Sequence, residues 1–297
     1  MIKGMISGIK RMEIHDGDGI RTTVFLKGCS LRCLWCHNPE GLSGKPQIAV
    51  FRQKCIGCGS CTALCPREAV SLGTVDRERC IGCGLCADGC PAGAIVRYGE
   101  EWEPEALAKV LAQDAPFFKS SGGGVTLSGG ECLMQPEFAE ALAKELKRMG
   151  ISVYIDTCGF VSREALERVI PYTDRFLYDI KAMDPAVHKA CTGQENAVIL
   201  GNLRYLSQRG CDIEIRYPLI KGYNDGECEK IGGFLRDLPG IRKIKVLQYH
   251  RFASSRYEAL GMQCTLPDTE TTPEDVQTAV EILRGFGLNA VNGITDD

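Results

Sequence analysis

The sequence has neither a long apolar run nor a block of like charges, and these two absences exclude several functions. No stretch reaches the roughly 18 consecutive apolar residues that a membrane span needs, and residues 1–19 contain no apolar signal core. The net charge is -3 and the isoelectric point is 5.9, with no basic cluster, so no nucleic-acid surface is predicted. We therefore expect a cytoplasmic protein whose partners include neither nucleic acid nor a membrane.

Cysteine, in contrast, is abundant, with 17 in a chain of 297 residues. Such a density without a secretory signal indicates metal binding or redox chemistry and not a disulfide framework. Eleven of the cysteines fall between positions 29 and 90. The other six are scattered singly, and we expect them to behave as small apolar residues; they are Cys132, Cys158, Cys191, Cys211, Cys228 and Cys264.

Short β-rich runs alternate with longer amphipathic ones along most of the chain, which predicts βα units and a parallel sheet. In the stretch from 135 to 149, Phe138, Leu142 and Leu146 share one helical face. Ser162 is a plausible N-cap for the next helix. An open barrel of six units and a doubly wound sheet both fit the six predicted strands, at 22–28, 125–128, 151–157, 175–181, 212–220 and 243–249.

Residues 51–97 interrupt this alternation and are predicted to form an inserted domain between the two barrel parts, 1–50 and 98–297. The segment repeats the run C-x2-C-x2-C-x3-C-P, which is typical of bacterial ferredoxins with two [4Fe–4S] clusters. In that pattern the fourth cysteine of each run ligates the other cluster, while structural zinc is the alternative for four thiolates. The predicted ligand sets are Cys55, Cys58, Cys61 and Cys90 for one cluster, and Cys80, Cys83, Cys86 and Cys65 for the other.

A separate loop, "KGCSLRCLWCHNPEG", places only three cysteines directly after the first predicted strand. Three thiolates leave one iron of a [4Fe–4S] cluster without a protein ligand, much as a catalytic zinc keeps an open position. That iron can bind a small molecule. The alternative is a loop with three structural cysteines, Cys29, Cys33 and Cys36.

The spacing C-x3-C-x2-C, with an aromatic residue before the last cysteine, resembles the signature of the radical S-adenosylmethionine (SAM) enzymes. The longer stretch "HDGDGIRTTVFLKGCSLRCLWCHNPEG" is similar to the opening of the glycyl-radical enzyme activating enzymes, although Asp18 stands where that family usually has proline. "TLSGGECLMQ", "YIDTCGF", "LYDIKAMD", "IEIRYPLIKGYND" and "VLQYHRFASSRYEALGM" resemble its later segments. The resemblance covers nearly the whole chain and implies a partial (β/α)6 TIM-like barrel with a ferredoxin-like α+β insert.

The resemblance also implies which residues bind the cofactors, and each has a plainer alternative. The Gly129–Gly130 pair is otherwise a turn, Asp156 and Thr157 are otherwise helix caps, and Lys181 is otherwise a solvated strand-end lysine. The implied cofactors are three [4Fe–4S] clusters, SAM and, in some members, a monovalent cation held by hard oxygen ligands. The implied site comprises Cys29, Cys33, Cys36 and Lys181 as catalytic residues, with Trp35, Asn38, Gly129, Gly130, Glu131, Asp156, Thr157, Asp179, Lys181 and His250 as cofactor contacts.

Three further residues are expected to contact an incoming polypeptide: Asp16, His37 and Arg216. Side chains alternate along a strand, so Glu214 and Arg216 should face the barrel interior. A buried arginine needs a partner, and an internal ion pair with Glu214 or Asp179 is the alternative to a polypeptide contact.

The resemblance implies an enzyme that uses SAM to install a glycyl radical on a partner enzyme, with flavodoxin or ferredoxin as a low-potential electron donor. One rival is a radical SAM enzyme acting on a small molecule. Another is an electron carrier whose three clusters are all fully ligated.

Overall fold

The structure is a computed structural model in which residues 2–293 are described, and it is organised around one nine-stranded sheet. The strands of the whole described chain are β1 (Gly4–Glu13), β2 (Arg21–Leu26), β3 (Gln47–Val50), β4 (Val70–Ser71), β5 (Thr74–Val75), β6 (Ile95–Tyr98), β7 (Glu100–Trp102), β8 (Gly124–Gly129), β9 (Ser152–Thr157), β10 (Arg175–Asp179), β11 (Ile213–Leu219), β12 (Ile241–Gln248) and β13 (Ala290–Asn292).

The strand order of the large sheet is β13-β12-β11-β10-β9-β8-β2-β1-β7. Its seven consecutive strands β2 and β8 to β13 run parallel to one another. Spatial order therefore follows chain order without the reversal that defines a doubly wound sheet. A singly wound series curls towards a barrel. The strand order thus favours the open barrel over the doubly wound sheet.

The six predicted strands are all present, but the sheet is wider than predicted because β1, β7 and β13 extend its edges. The first two run antiparallel: β1 pairs with β2, and β7 pairs with β1. β1 has the sequence GMISGIKRME, whose glycines and charges give no clear alternation. β7 covers only Gly4–Ile6, so the rest of β1 lies at the edge of the sheet, where a half-exposed strand tolerates such a sequence.

Helices pack against the outside of the sheet, and the apolar faces of helix and strand form one large core. Ser162 accepts a hydrogen bond from the Ala165 N–H, as its predicted N-cap role requires. No helix in residues 2–293 is long and apolar enough to cross a membrane. The helices are α1 (Ser60–Leu64), α2 (Leu85–Asp88), α3 (Pro104–Leu111), α4 (Ala115–Ser121), α5 (Pro136–Arg148), α6 (Arg163–Val169), α7 (Pro185–Thr192), α8 (Ala197–Gln208), α9 (Cys228–Leu235), α10 (Ser254–Ala259) and α11 (Pro273–Gly285).

The cysteine-rich segment departs from the sheet through an antiparallel pair, β3 and β6, in which Gln47 is opposite Tyr98 and Val50 is opposite Ile95. The segment has its own apolar cluster, made of Ile48, Val50, Cys61, Val70, Cys86 and Ile95. The strand pair closes the segment at residues 47 and 98, slightly outside the range 51–97 expected for the insert. We call residues 47–98 the cysteine-rich segment.

Candidate active site

A cavity of about 630 Å³ opens at the carboxyl ends of the parallel strands. This volume lies within the range of roughly 300–1,000 Å³ that is typical of ligand pockets. Fourteen of the sixteen residues expected at the site line it: Asp16, Cys29, Cys33, Trp35, Cys36, His37, Asn38, Gly129, Gly130, Asp156, Asp179, Lys181, Arg216 and His250. The other two, Glu131 and Thr157, do not.

The three-cysteine loop follows β2 and is fixed to distant parts of the chain by backbone hydrogen bonds. The Gly28 N–H donates to the Gly41 carbonyl at 2.8 Å, which closes the loop on itself. The Leu34 N–H donates to the Cys191 carbonyl at 2.9 Å, at the end of α7. The Tyr257 hydroxyl donates to the Cys36 carbonyl at 3.0 Å, from α10. These hydrogen bonds fix the loop against α7 and α10.

The chemistry of the three thiols fits an iron–sulfur cluster. Burial raises the pKa of the Cys33 thiol to about 12 and that of Cys36 to about 11. Buried thiolates therefore need a strong cation, which iron supplies. Among residues 2–293, no three His, Cys, Asp or Glu side chains converge closely enough to hold a single metal ion. Cysteines around a cluster bind different irons and need not meet at one point.

Arg216 is the centre of a buried cluster of charges on the cavity wall. Its guanidinium lies 3.4 Å from Asp16, 3.6 Å from Asp156 and 4.0 Å from Glu214, and it donates to the His15 carbonyl at 2.9 Å. Burial alone would lower the pKa of Arg216, but the surrounding carboxylates raise it. The internal ion pair between Arg216 and Glu214 is thus present. Asp16 and Asp156 also lie near the guanidinium, although the sequence did not assign them as its ion-pair partners.

Asp156 carries the most strongly perturbed carboxylate on this wall. Burial raises its pKa to about 7, against the opposing effect of Arg216. The Ser128 hydroxyl donates to it at 2.6 Å from the neighbouring strand β8. Near neutral pH this group can therefore exchange a proton, which ordinary aspartates do not do.

Lys181 and Asp179 form a second ion pair facing the cysteines, with a separation of 2.6 Å. The Lys181 side chain is 9% exposed. Burial would lower its pKa, but Asp179 and then Cys33 raise it. A permanently charged ammonium group is thus available beside the three-cysteine loop.

Glu131 lies behind the cavity wall, where it ties two strand ends together. Its carboxylate accepts hydrogen bonds from the Thr157 hydroxyl at 2.9 Å, the Cys158 N–H at 2.8 Å and the Leu133 N–H at 3.0 Å. These contacts explain why neither Glu131 nor Thr157 lines the cavity. In this geometry the two residues support the loops after β8 and β9 and do not face the cavity.

The turn after β8 requires glycine because the backbone approaches other chain segments closely. At Gly129 φ is +130°, and an added Cβ would lie 2.1 Å from the Leu26 carbonyl oxygen. At Gly130 it would lie 2.3 Å from the Gly41 carbonyl oxygen. The turn therefore packs directly under the three-cysteine loop.

Aromatic rings line the mouth of the cavity. His37 stacks on His250, and His250 stacks on Phe252, each with 4.3 Å between ring centroids. Phe252 is 83% exposed, whereas Trp35 is 6% exposed and packs with Tyr249. No pattern in the sequence singled out Phe252.

The cysteine-rich segment contains two smaller cavities, and each is lined by four cysteines, three from one run and one from the other. We call them the outer and the inner cysteine site. The outer site is lined by Cys55, Cys58, Cys61 and Cys90, and the inner site by Cys65, Cys80, Cys83 and Cys86.

Comparison with protein families first defines the class. The model of the Radical SAM superfamily matches residues 23–235, which contain the three-cysteine loop and most of the strands that end at the cavity. The superfamily uses a [4Fe–4S] cluster together with SAM. The fold of Streptococcus suis SuiB bound to its precursor peptide SuiA covers 89% of this chain and 46% of that one, with a TM-score of 0.55 at 12% identity.

Two curated relatives narrow the class. The chain is 43% identical to the trans-4-hydroxy-L-proline dehydratase activating enzyme of Clostridioides difficile, over 86% of this chain and 87% of the relative. It is 40% identical to the choline trimethylamine-lyase activating enzyme of Oleidesulfovibrio alaskensis, over 88% of each. The chain belongs to the glycyl-radical enzyme activating enzymes of the radical SAM superfamily.

Proposed function

We propose that this protein installs a glycyl radical on a partner enzyme. The observation that carries the proposal is the opening of the three-cysteine loop into the large cavity, beside a buried ammonium group and a set of carboxylates. A reduced cluster held by Cys29, Cys33 and Cys36 would supply the one electron that cleaves SAM to methionine and a 5′-deoxyadenosyl radical, and this radical would take a hydrogen atom from a glycine Cα of the partner.

The cavity residues have distinct proposed roles in holding the cofactors. Cys29, Cys33 and Cys36 hold the cluster, and Lys181, restrained by Asp179, binds a carboxylate of the cofactor. The Gly129–Gly130 turn offers backbone carbonyls to its ammonium group. The remaining cofactor contacts are assigned to Trp35 and to the polar groups of Asn38, Asp156 and His250; oxygens of this set, including those of Asp156, suit a monovalent cation.

The polypeptide is proposed to enter at the side of the cavity formed by Asp16, His37 and Arg216. Glycine suits this entry because it has no Cβ to block the approach to its α-carbon. The Asp16–Arg216 pair is held by Thr23, whose hydroxyl donates to Asp16 at 2.7 Å. It can therefore present hydrogen-bonding groups to a peptide backbone without large rearrangement.

Residues 51–97, within the cysteine-rich segment, are proposed to form a ferredoxin-like domain with a [4Fe–4S] cluster in each cysteine site. The four-cysteine lining of each cavity, with one cysteine exchanged between the runs, supports this assignment. The protein would then hold three clusters. A low-potential flavodoxin or ferredoxin is the proposed electron donor.

Electron paramagnetic resonance tests the proposal. Anaerobically reconstituted protein, SAM, dithionite and a cognate glycyl-radical enzyme should together give a stable organic doublet. The variant with Cys29, Cys33 and Cys36 all changed to alanine should lose about four of about twelve irons and give no doublet. Cleavage of SAM by this variant would contradict the site assignment, and turnover of a small metabolite without any partner radical would favour the rival activity.

A further inference from the structure

The loop between β1 and β2, residues 14–20, lies between two cavities. His15 and Asp16 line the large cavity at the carboxyl ends of the strands. Asp18 and the glycines on either side of it line a second cavity of about 410 Å³. This second cavity lies towards the amino ends of the strands, since it is also lined by Ser121, three residues before β8. Because the loop has open space on both of these faces, its polar contacts decide where it lies.

On the side of the large cavity, the loop carries groups that we assign to the polypeptide. The Asp16 carboxylate accepts a hydrogen bond from the Thr23 hydroxyl, and the Asp16 carbonyl accepts one from the Thr126 hydroxyl at 2.7 Å. The His15 carbonyl accepts a hydrogen bond from the Arg216 guanidinium. A shift of the loop would therefore displace Asp16 and an acceptor of Arg216 together.

On the opposite face, Asp18 ties the loop to the sheet. Its carboxylate accepts a hydrogen bond from the Arg175 guanidinium at 2.7 Å. Burial would raise the pKa of Asp18, but this hydrogen bond and the charge of Arg175 lower it. Arg175 is the first residue of β10, its side chain is only 5% exposed, and its guanidinium lies 5.0 Å from the centre of the Tyr154 ring, so it is a fixed anchor. Asp212 accepts from the same guanidinium at 3.1 Å, so Arg175 keeps a carboxylate partner when Asp18 is removed.

The backbone of the loop supplies little restraint of its own. Gly17 and Gly19 have φ angles of +125° and +68°, and glycine permits many other conformations. The family usually has proline between these two glycines, and a proline ring fixes φ. Asp18 lacks this covalent restraint, so the loop needs another one.

We infer that Asp18 is a positioning residue, whose ion pair with Arg175 takes the place of the proline ring and fixes the loop. Through the loop it places the Asp16–Arg216 pair for the incoming polypeptide. Asp18 lines the second cavity and not the large one, so it acts through Asp16 and not by contact with the polypeptide. The inference rests on the proposed function.

The initial rate of glycyl-radical formation, measured by electron paramagnetic resonance at a series of partner concentrations, tests the inference. Asp18→Ala should raise the KM for the partner about fivefold, near the upper limit for a half-exposed ion pair, at nearly unchanged kcat. The Kd for SAM, measured by calorimetry without the partner, should stay near the wild-type value, because none of the proposed SAM contacts lies on this loop. A general structural defect would lower kcat and weaken SAM binding as well.

The matched control is Asp212→Ala. Asp212 accepts two hydrogen bonds from Arg175, from Nε at 3.2 Å and from Nη2 at 3.1 Å, but it lies outside the loop and lines neither cavity. Its removal leaves Asp18 as the remaining carboxylate partner of Arg175, so the KM for the partner should stay near the wild-type value. A rise in KM as large as that of Asp18→Ala would show that the charge balance of Arg175 matters and not the loop, and would overturn the inference.

Asp18→Pro separates restraint of the loop from charge. It removes the ion pair but fixes φ, so the KM should return close to the wild-type value; a KM as high as that of Asp18→Ala would contradict the positioning role. If Asp18→Ala does not fold, Asp18→Asn decides, because it keeps the side-chain shape and removes the charge: a raised KM supports the inference, and a wild-type KM refutes it. Weaker SAM binding at an unchanged KM would also refute it. A wild-type protein that forms no glycyl radical on a cognate partner would instead refute the proposed function.

Discussion

Replacing Arg216 with alanine removes the cation shared by the buried Glu214 and by Asp16 and Asp156, which are partly buried in the cavity wall. Asp16, Asp156 and Glu214 all lie within 4.0 Å of its guanidinium, and no hydrogen bond to either Glu214 carboxylate oxygen is present among the described residues. Removing one member of a buried ion pair typically costs about 3–5 kcal/mol, because the remaining charge stays desolvated. We expect a loss of this size for Arg216→Ala.

The assay is anaerobic calorimetry of the reconstituted protein. A loss of that size corresponds to a fall in the melting temperature of roughly 5–8 °C for a chain of this length. The double variant Arg216→Ala/Asp156→Asn should recover part of the loss, because it leaves one fewer unpaired carboxylate. Arg216→Lys should fall between wild type and alanine, since it keeps the charge and loses the planar fork.

The same variant also tests the role of Arg216. Because we assign it to the polypeptide, Arg216→Ala should lower the glycyl-radical yield more than it weakens SAM binding, measured below the melting temperature. An unchanged melting temperature would refute the charge cluster as the source of stability. Abolished SAM binding in a folded protein would refute the assignment to the polypeptide.

Three further changes test other parts of the site. Burial raises the pKa of Asp156 to about 7 from 3.8, so the folded protein retains a proton that the unfolded chain releases, and stability should fall as pH rises from about 4 to about 7. The melting temperature of Asp156→Asn should therefore depend less on pH, and a pH profile identical to that of the wild type would contradict the shift. Cys58→Ser with Cys83→Ser should degrade the clusters of the cysteine-rich segment while SAM binding, measured by calorimetry, persists; lost binding with an intact barrel cluster would argue against independent domains. Gly129→Ala should abolish SAM binding because its Cβ would meet the Leu26 carbonyl. The control Gly122→Ala, at φ +73° with open space around it, should carry only backbone strain of about 1–2 kcal/mol and keep SAM binding. Similar SAM binding by both variants would refute the argument.

Most of the barrel could be predicted because its strands and motifs are local features of the chain. Each central strand has an apolar run followed at once by the residues that line the cavity. The edge strands were missed because short or half-exposed strands need no regular alternation. β13 has only three residues, too few for a pattern to stand out.

The site could be predicted only in part, because several of its contacts join residues far apart in sequence. The hydrogen bond from Tyr257 to Cys36 spans 221 positions, and no local pattern indicates it. Glu131 belongs to a recognisable motif, but the motif does not show whether its side chain faces the cavity or the neighbouring strand end. That choice depends on the register of β8 and β9, which is a property of the folded sheet.

Transfer of deuterium from the partner tests the central claim most directly. A cognate glycyl-radical enzyme is prepared with glycine deuterated at Cα and is activated with SAM under reducing, anaerobic conditions. We predict that the doublet collapses to a single line and that deuterium appears in 5′-deoxyadenosine, because the glycine α-carbon is the source of the abstracted atom. A persistent doublet with unlabelled 5′-deoxyadenosine, or label acquired only from a small metabolite, would contradict the account.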